Sequence, residues 1–451
     1  MHTRQSTIQG GDPCPKPSQP LDGRGRLLET IRPDNTAYIN QLNSAGDVIL
    51  AIDPLGRVTG DQYNSSGDVT QVTFADGSVN LYQYQATFHE VTQATNALGQ
   101  VSSNTYDSST GLITSSTDPL GFVTSYGWSS GRMQSQTDPL GHISLYRYDG
   151  NLRATGVIDP LGNWSQAAYA ANGTVSSTTD AIGWVTQTSY NGREELLQTT
   201  DANGDISSQQ YNAYGQVTSQ TNARGLAMST TYDQRGFATA QTDYLGNSTS
   251  TGYDAAGNVT SVTDPNNNQT SYGYDSDNRQ TSVTDALGNT ISQTHFDAAN
   301  NVTSSTDGNS NTTNKYYDLL NRQVLTVDPL GNNSFTIFDP AAQALATINA
   351  IGALQQSVFD ADGRQIQSID PLGHVSQSIY DAGGNIVQSI DGRGMVGRAL
   401  FDGDNRQAAT IKADGDVNRQ VFNADSAVIQ SIDGNGHATS YTLERLTAEL
   451  V

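Results

Sequence analysis

Six aspartates, Asp53, Asp118, Asp138, Asp159, Asp328 and Asp370, each stand directly before Pro-Leu-Gly. A carboxylate returning at one repeated position could bind Ca2+ or carry acid–base chemistry. The competing reading is turn chemistry, in which Asp opens the turn, Pro presets the next φ and Gly takes the last corner. The turn reading is the stronger one. The chain lacks the glycine-rich nonapeptide of calcium-binding β-helices. No carboxylate pair stands apart from the others, as a catalytic site with a perturbed pKa would demand. His142, His374 and His437 each follow a turn glycine, at a position elsewhere filled by Arg57, Gln100, Phe122, Asn163, Trp184 or Asn289. That variety reads as a solvated turn site. His2, His89 and His295 share no spacing, and neither His-Glu-x-x-His nor Gly-x-Ser-x-Gly occurs. Cys14, the single cysteine, excludes an internal disulfide and a Cys-based zinc site, and only Lys16 lies near it in sequence to activate the thiol. Trp128, Trp164 and Trp184 sit outside the regular aromatic register and are candidate glycan contacts, since indole faces stack on sugar C–H surfaces. No catalytic, cofactor-binding or metal residue is assigned, no cofactor is expected, and the chain does not read as an enzyme.

The elements that would position these residues are repeats. Gly141, Gly162, Gly183, Gly204, Gly225 and Gly246 lie 21 residues apart. Gly56, Gly121, Gly288, Gly331, Gly352 and Gly373 mark the same turn, with Asn267 and Asn309 filling the gap in the series. An aromatic returns in a second phase at Tyr148, Tyr169, Tyr190, Tyr211, Tyr232, Tyr253 and Tyr274, and continues from Phe296 to Phe422. Asp usually follows it, with Gly shortly after, or Asn at Asn278, Asn321 and Asn405. Asn tolerates the left-handed conformation better than other non-glycine residues. The segments between turns, such as Asn258 to Thr263, are short and rich in Val, Ile and Thr, the signature of strands. The repeat is therefore one β-hairpin with two turns, and the aromatics are the residues each hairpin packs against the next. About twenty copies predict roughly forty strands.

The chain has 451 residues, of which 35% are hydrophobic and 15% charged, with a formal charge of −23. That acidity disfavours nucleic acid and anionic membranes as partners. The longest aliphatic stretch, Val48 to Ile52, is too short to span a bilayer, and Met1 to Ser6 lacks the apolar core of a signal peptide. Forty strands laid side by side would extend about 190 Å at about 4.8 Å each. Sheets that wide curl, split or close. The scarcity of apolar residues disfavours a sandwich. A single curved, spiralling sheet that encloses a cavity fits the distribution better.

The paired markers Asp-Pro-Leu-Gly and Tyr-Asp-x-x-Gly on a 21-residue period resemble the Rhs or YD-repeat family. It includes bacterial Rhs polymorphic toxins, the cocoon component of insecticidal toxin complexes, and teneurins. The resemblance implies an all-β hollow shell of hairpins, which in bacterial members holds a toxin segment. Implied partners are an encapsulated toxin polypeptide or secretion-system components, and the implied location is secreted or cell-surface. Residues 1–20 read as a Pro-rich disordered lead and residues 21–451 as the repeat shell, with Leu21 in the first aromatic position. The carboxyl end reads as a hairpin cut off within its second strand, so a fragment without core domain or toxin is expected. Two functions follow: a non-enzymatic shell segment that encloses or presents a polypeptide, or an adhesion module that binds glycans.

Overall fold

The computed structural model describes residues 18–441. Cys14, His2, most of the proline-rich lead and the final ten residues lie outside the described residues. Forty β-strands run from Glu29–Ile31 to Ala438–Ser440, in one antiparallel sheet and without a helix among the described residues. Six-residue strands such as Val185–Tyr190 alternate with five-residue strands such as Leu196–Thr200. In Val185–Tyr190 exposed and half-buried residues alternate, as a strand with one better-covered face requires. Thr and Ser occupy much of the half-buried face, so the strands form without a thick apolar layer.

The aromatic closes each longer strand behind a β-bulge. Ser189 pairs with Gln198, but Tyr190 pairs with Leu196, so Leu197 is the extra residue. The same shift precedes Tyr148, Tyr169, Tyr211, Tyr232, Tyr253 and Tyr274. A bulge at a fixed place in every hairpin adds local twist each time.

Three expectations need correction. Trp128 is not outside the register: it follows a bulge one residue before the end of a longer strand, and its indole donates to Ile113 O at 2.6 Å, 15 residues back, as the tyrosines do. The turn after Gly288 is made by Ser310, with φ +65°, and not by Asn309. Thr290–Phe296 has seven residues, and the surplus residue, Ile291, moves the following turn by one. Residues 18–20, placed in the lead, join the sheet: Ser18 exchanges backbone hydrogen bonds with Ile31, and Leu28 N donates to Pro20 O.

The contacts divide the chain into two compact units. One holds the described chain through Gly67, with Val72–Ser78 and Met228–Asn333. The other holds Asp68–Gln71, Val79–Ala227 and the described chain from Ser334. Each unit thus joins an earlier stretch of hairpins to a later one. Neither has an ordinary core: among the described residues only Ala346 and Ala409 are buried hydrophobics. Burial comes from neighbours along the sheet, as in other repeat architectures.

Candidate functional site

Each hairpin offers two turns, and these carry nearly all the polar chemistry. In the Asp-Pro-Leu-Gly turn, Asp53 N donates to Arg57 O and Gly56 N donates back to Asp53 O, at 3.0 and 2.9 Å. Gly56 has φ +78°, the left-handed corner of a type I turn with a glycine bulge. The twelve glycines singled out above have φ between +78° and +91°. Asp53 Oδ1 accepts from Leu55 N and Arg57 N, both at 2.9 Å. The same two bonds form at Asp118, Asp138, Asp159, Asp328 and Asp370.

The second oxygen is also engaged at most of these turns. Oδ2 accepts from Arg57 Nε, Asn163 Nδ2 and Asn332 Nδ2 at 2.7 to 2.8 Å, and contacts the Nδ1 of His142 and His374. The site read as merely solvated is in most copies a donor that braces its turn. The histidines belong to this set, and His437 contacts Asp433 likewise at 3.1 Å. Hydrogen bonds from Asn332 hold the Asp328 carboxyl below its ordinary value, and those from His374 do the same for Asp370. Asp107, bonded by the Ser109 and Thr110 side chains, is lowered to about 2. These aspartates are turn closures. Among the described residues no group of three or more His, Cys, Asp or Glu gathers to hold a metal.

The Tyr-Asp turns form the other edge. Tyr148, Tyr169, Tyr211, Tyr253 and Tyr274 each donate the phenol to a backbone carbonyl 15 residues earlier, at 2.7 to 3.0 Å. Each ring therefore ties its own turn to the turn of the hairpin before. Tyr190 and Tyr232 hold the same place, paired with Leu196 and Ala238. Sequence reasoning missed an arginine staple on this edge. Arg153, Arg279, Arg364 and Arg406 each donate Nε to the turn aspartate four residues back, at 2.7 to 2.8 Å. Their guanidinium groups lie over Tyr169, Phe296, Tyr380 and Phe422 of the next hairpin, 4.5 to 4.8 Å from the ring centroids. The signal was in the sequence as Arg directly after the Gly, Asn or Leu that closes the turn.

The tryptophans divide. Trp128 is consumed by the aromatic register. Trp164 opens the strand Trp164–Tyr169 and remains 47% exposed, while Trp184 closes a turn and is 37% exposed.

Within each unit, the Asp-Pro-Leu-Gly edge of the earlier stretch meets the Tyr-Asp edge of the later one. In the first unit Arg57 Nη1 donates to Asp318 O at 3.3 Å, Arg32 Nη1 donates to Ala298 O at 2.6 Å, and Arg32 ion-pairs with Asp277. In the second, Ala181 N donates to Asp425 Oδ1 at 3.0 Å, across 244 residues. This seam brings carboxyl groups together. Burial, with the Asp118 charge next in weight, raises Asp362; burial with Asp159 raises Asp404, and burial with Asp180 among its neighbours raises Asp425. A polar cleft of about 720 Å³ opens on the seam, lined by Asp118, Pro119, Asp362, Arg364 and Gly383 among others. No helix among the described residues is long and apolar enough to cross a membrane.

Comparison with known proteins follows the same lines. The RHS Repeat family matches residues 106–143, 232–268 and 253–290. No curated protein matches the chain in sequence. Among solved structures, the Photorhabdus luminescens Tc holotoxin pore is similar over 92% of this chain and 27% of that one, at 14% identity and a TM-score of 0.65. The TcdB2-TccC3 structure is similar over 92% of this chain and 30% of that one, at 11% identity and a TM-score of 0.66. The TcdB2-TccC3-Cdc42 structure matches at 14% identity, with a TM-score of 0.61, over 92% and 28%. At these identities the likeness is one of fold, and this chain spans under a third of each solved chain. The 21-residue register and the matched segments mark residues 106–143 and 232–290 as Rhs repeats, and the solved structures share the fold of the whole hairpin sheet.

Proposed function

We propose that this chain is a length of shell wall, whose work is to bound a space that holds or presents another polypeptide, a toxin segment in the family's bacterial manner. The observation that carries the reading is a sheet of forty strands with almost no buried side chain, closed edge to edge within each unit. Such a sheet makes a poor scaffold for a deep catalytic pocket and a good partition. The proposed role is structural and not catalytic, and its proposed place is outside the cell, as a secreted or surface protein. Negative-stain electron microscopy of the purified chain tests it. A curved wall bordering a lumen supports the reading; a compact solid particle or a flat ribbon overturns it.

One observation favours a second reading. Trp164 and Trp184 remain partly exposed in successive hairpins, where an aromatic face could receive a sugar ring. Glycan-array binding lost in the Trp164→Ala, Trp184→Ala double variant would favour it. Binding that survives the double change, or no binding at all, removes it.

A further inference from the structure

One position of the Tyr-Asp turn gathers carboxyl groups at the seam. Counting the residue after the aromatic as the first of the turn, the third is Ser66, Asn151, Asn172, Arg193, Tyr214 or Arg235 in earlier hairpins. From Tyr274 onward it becomes aspartate at Asp277, Asp362, Asp404 and Asp425. Each of these faces another acid across the seam: Asp34, Asp118, Asp159 and Asp180 respectively.

In the second unit the facing acids compete for few donors. Leu120 N donates to Asp118 Oδ1 at 3.0 Å and also serves Asp362; Leu161 N stands likewise between Asp159 and Asp404. The side chains of Asp362 and Asp404 are only 13 and 12% exposed, and the Oδ1 of each is buried without a hydrogen-bond partner. At the third contact Ala181 N donates to Asp425 Oδ1 at 3.0 Å, while Asp180 Oδ1 accepts from Trp184 N at 2.7 Å. Asp180 is the charged group facing Asp425. Countercharge stands further off. Arg364 and Arg406 come within 3.6 and 3.7 Å of Asp362 and Asp404, but each is engaged at 2.8 Å by the first aspartate of its own turn, Asp360 or Asp402. The other turns lining the cleft at Asp362 present Asn96, Gln100, Ala341 and Gln343, none of them charged.

The first unit meets the same problem with cations. Arg32 ion-pairs with Asp277, and Arg279 stands 4.0 Å from that carboxyl. Arg32 also donates to Ala298 O and Asn300 Oδ1, and Arg57 donates to Asp318 O, so arginines span this seam.

We propose that the seam of the second unit is a proton-operated latch, tight while Asp362, Asp404 and Asp425 each share a proton with the acid they face and loosened when those pairs ionise. The arginine-held seam of the first unit does not respond. A protonated carboxyl donates the hydrogen bond that the orphaned oxygens lack, whereas two carboxylates only repel and remain poorly solvated. Burial, reinforced by the facing charge, raises all three carboxyls. Their contribution is therefore complete below about pH 4 and is lost as pH rises through the folded values. The latch goes beyond the wall reading: it makes one line of the wall yield as acid is withdrawn, with or without a cargo.

Thiol accessibility compares the two seams. In a Cys14→Ser background, Leu161→Cys reports the second seam, where Leu161 lies against Gly403, and Leu55→Cys reports the first, beside Asp318 and Leu319. The two leucines are matched at 48 and 47% exposed, and Leu372→Cys, at a site 82% exposed, is the open reference. A dipyridyl disulfide, which consumes thiols in acid as in neutral solution, is applied at about pH 5 and about pH 8. The rate at Leu161→Cys relative to the reference should rise at least about tenfold between the two, the change that one linked proton permits per pH unit. The ratio at Leu55→Cys should stay level. Adding Asp362→Asn, Asp404→Asn and Asp425→Asn should hold the Leu161→Cys ratio near its acid value throughout, because an amide donates without charge. A level ratio at Leu161→Cys, an equal rise at both seams, or a rise undiminished by the three Asn changes overturns the proposal. Should the triple variant fail to fold, Asp404→Asn alone must reduce the rise at Leu161→Cys, and an unchanged rise refutes the latch.

Discussion

Gly204 and Gly192 separate backbone strain from steric room within neighbouring turns. A Cβ on either would meet nothing within 4 Å, yet Gly204 has φ +86° and Gly192 lies outside the left-handed region. Gly204→Val therefore introduces strain without a clash, and Gly192→Val introduces neither. Holding a non-glycine residue in the left-handed region costs about 1–3 kcal/mol, with β-branched residues toward the upper end. Asn should cost far less, since six of the thirteen non-glycine residues with positive φ are Asn, at Asn35, Asn267, Asn278, Asn300, Asn321 and Asn405.

Because the hairpins are nearly independent, the penalty should appear locally and not as one shifted melting point. Hydrogen exchange is the appropriate assay. In Gly204→Val, amides of the flanking strands Leu196–Thr200 and Ile206–Tyr211 should exchange about 5- to 150-fold faster, the factor that corresponds to 1–3 kcal/mol. Gly204→Asn should fall well short of that, and Gly192→Val should match the parent. Equal exchange in the two valine variants would refute the argument from φ. Acceleration by Asn equal to that by Val would show that something other than the left-handed corner is at stake.

Ala342 holds φ +68° at an exposed turn, so Ala342→Gly should slow local exchange there, by on the order of 1 kcal/mol if relief of strain exceeds the added freedom of the unfolded chain. Arg406 bonds Asp402, Asn423 O and the Ser426 hydroxyl while covering Phe422, so Arg406→Ala should cost roughly 1–2 kcal/mol. Arg406→Lys should recover under half of it in urea titrations, because an ammonium lacks the planar fork; full recovery would contradict the staple. The raised Asp404 carboxyl keeps a proton that the unfolded chain releases above about pH 4, so its contribution falls as pH rises through the folded value. Asp404→Asn should thus raise thermal stability at pH 7 and give no gain below about pH 4. The lowered turn carboxyls act oppositely: stability from Asp328 and Asp370 is complete above about pH 4 and is lost as pH falls through their folded values, which acid titration of Asp328→Asn against the parent would detect.

The register of Gly141 to Gly246 and of Tyr148 to Tyr274 made the hairpin, its turns and its strand number legible, because local turn chemistry repeats with every copy. Asp-Pro-Leu-Gly reads as a turn whichever neighbours surround it. The brace four residues after each turn aspartate was harder to see. Arg57, His142, Asn163 and Asn332 differ in size and charge and share only a donor at one reach, so their common role looks like indifference. The seam was further from view. Its partners lie 244 residues apart at Ala181 and Asp425, about a dozen hairpins on, and that distance is set by twist accumulated strand by strand. No single hairpin encodes it.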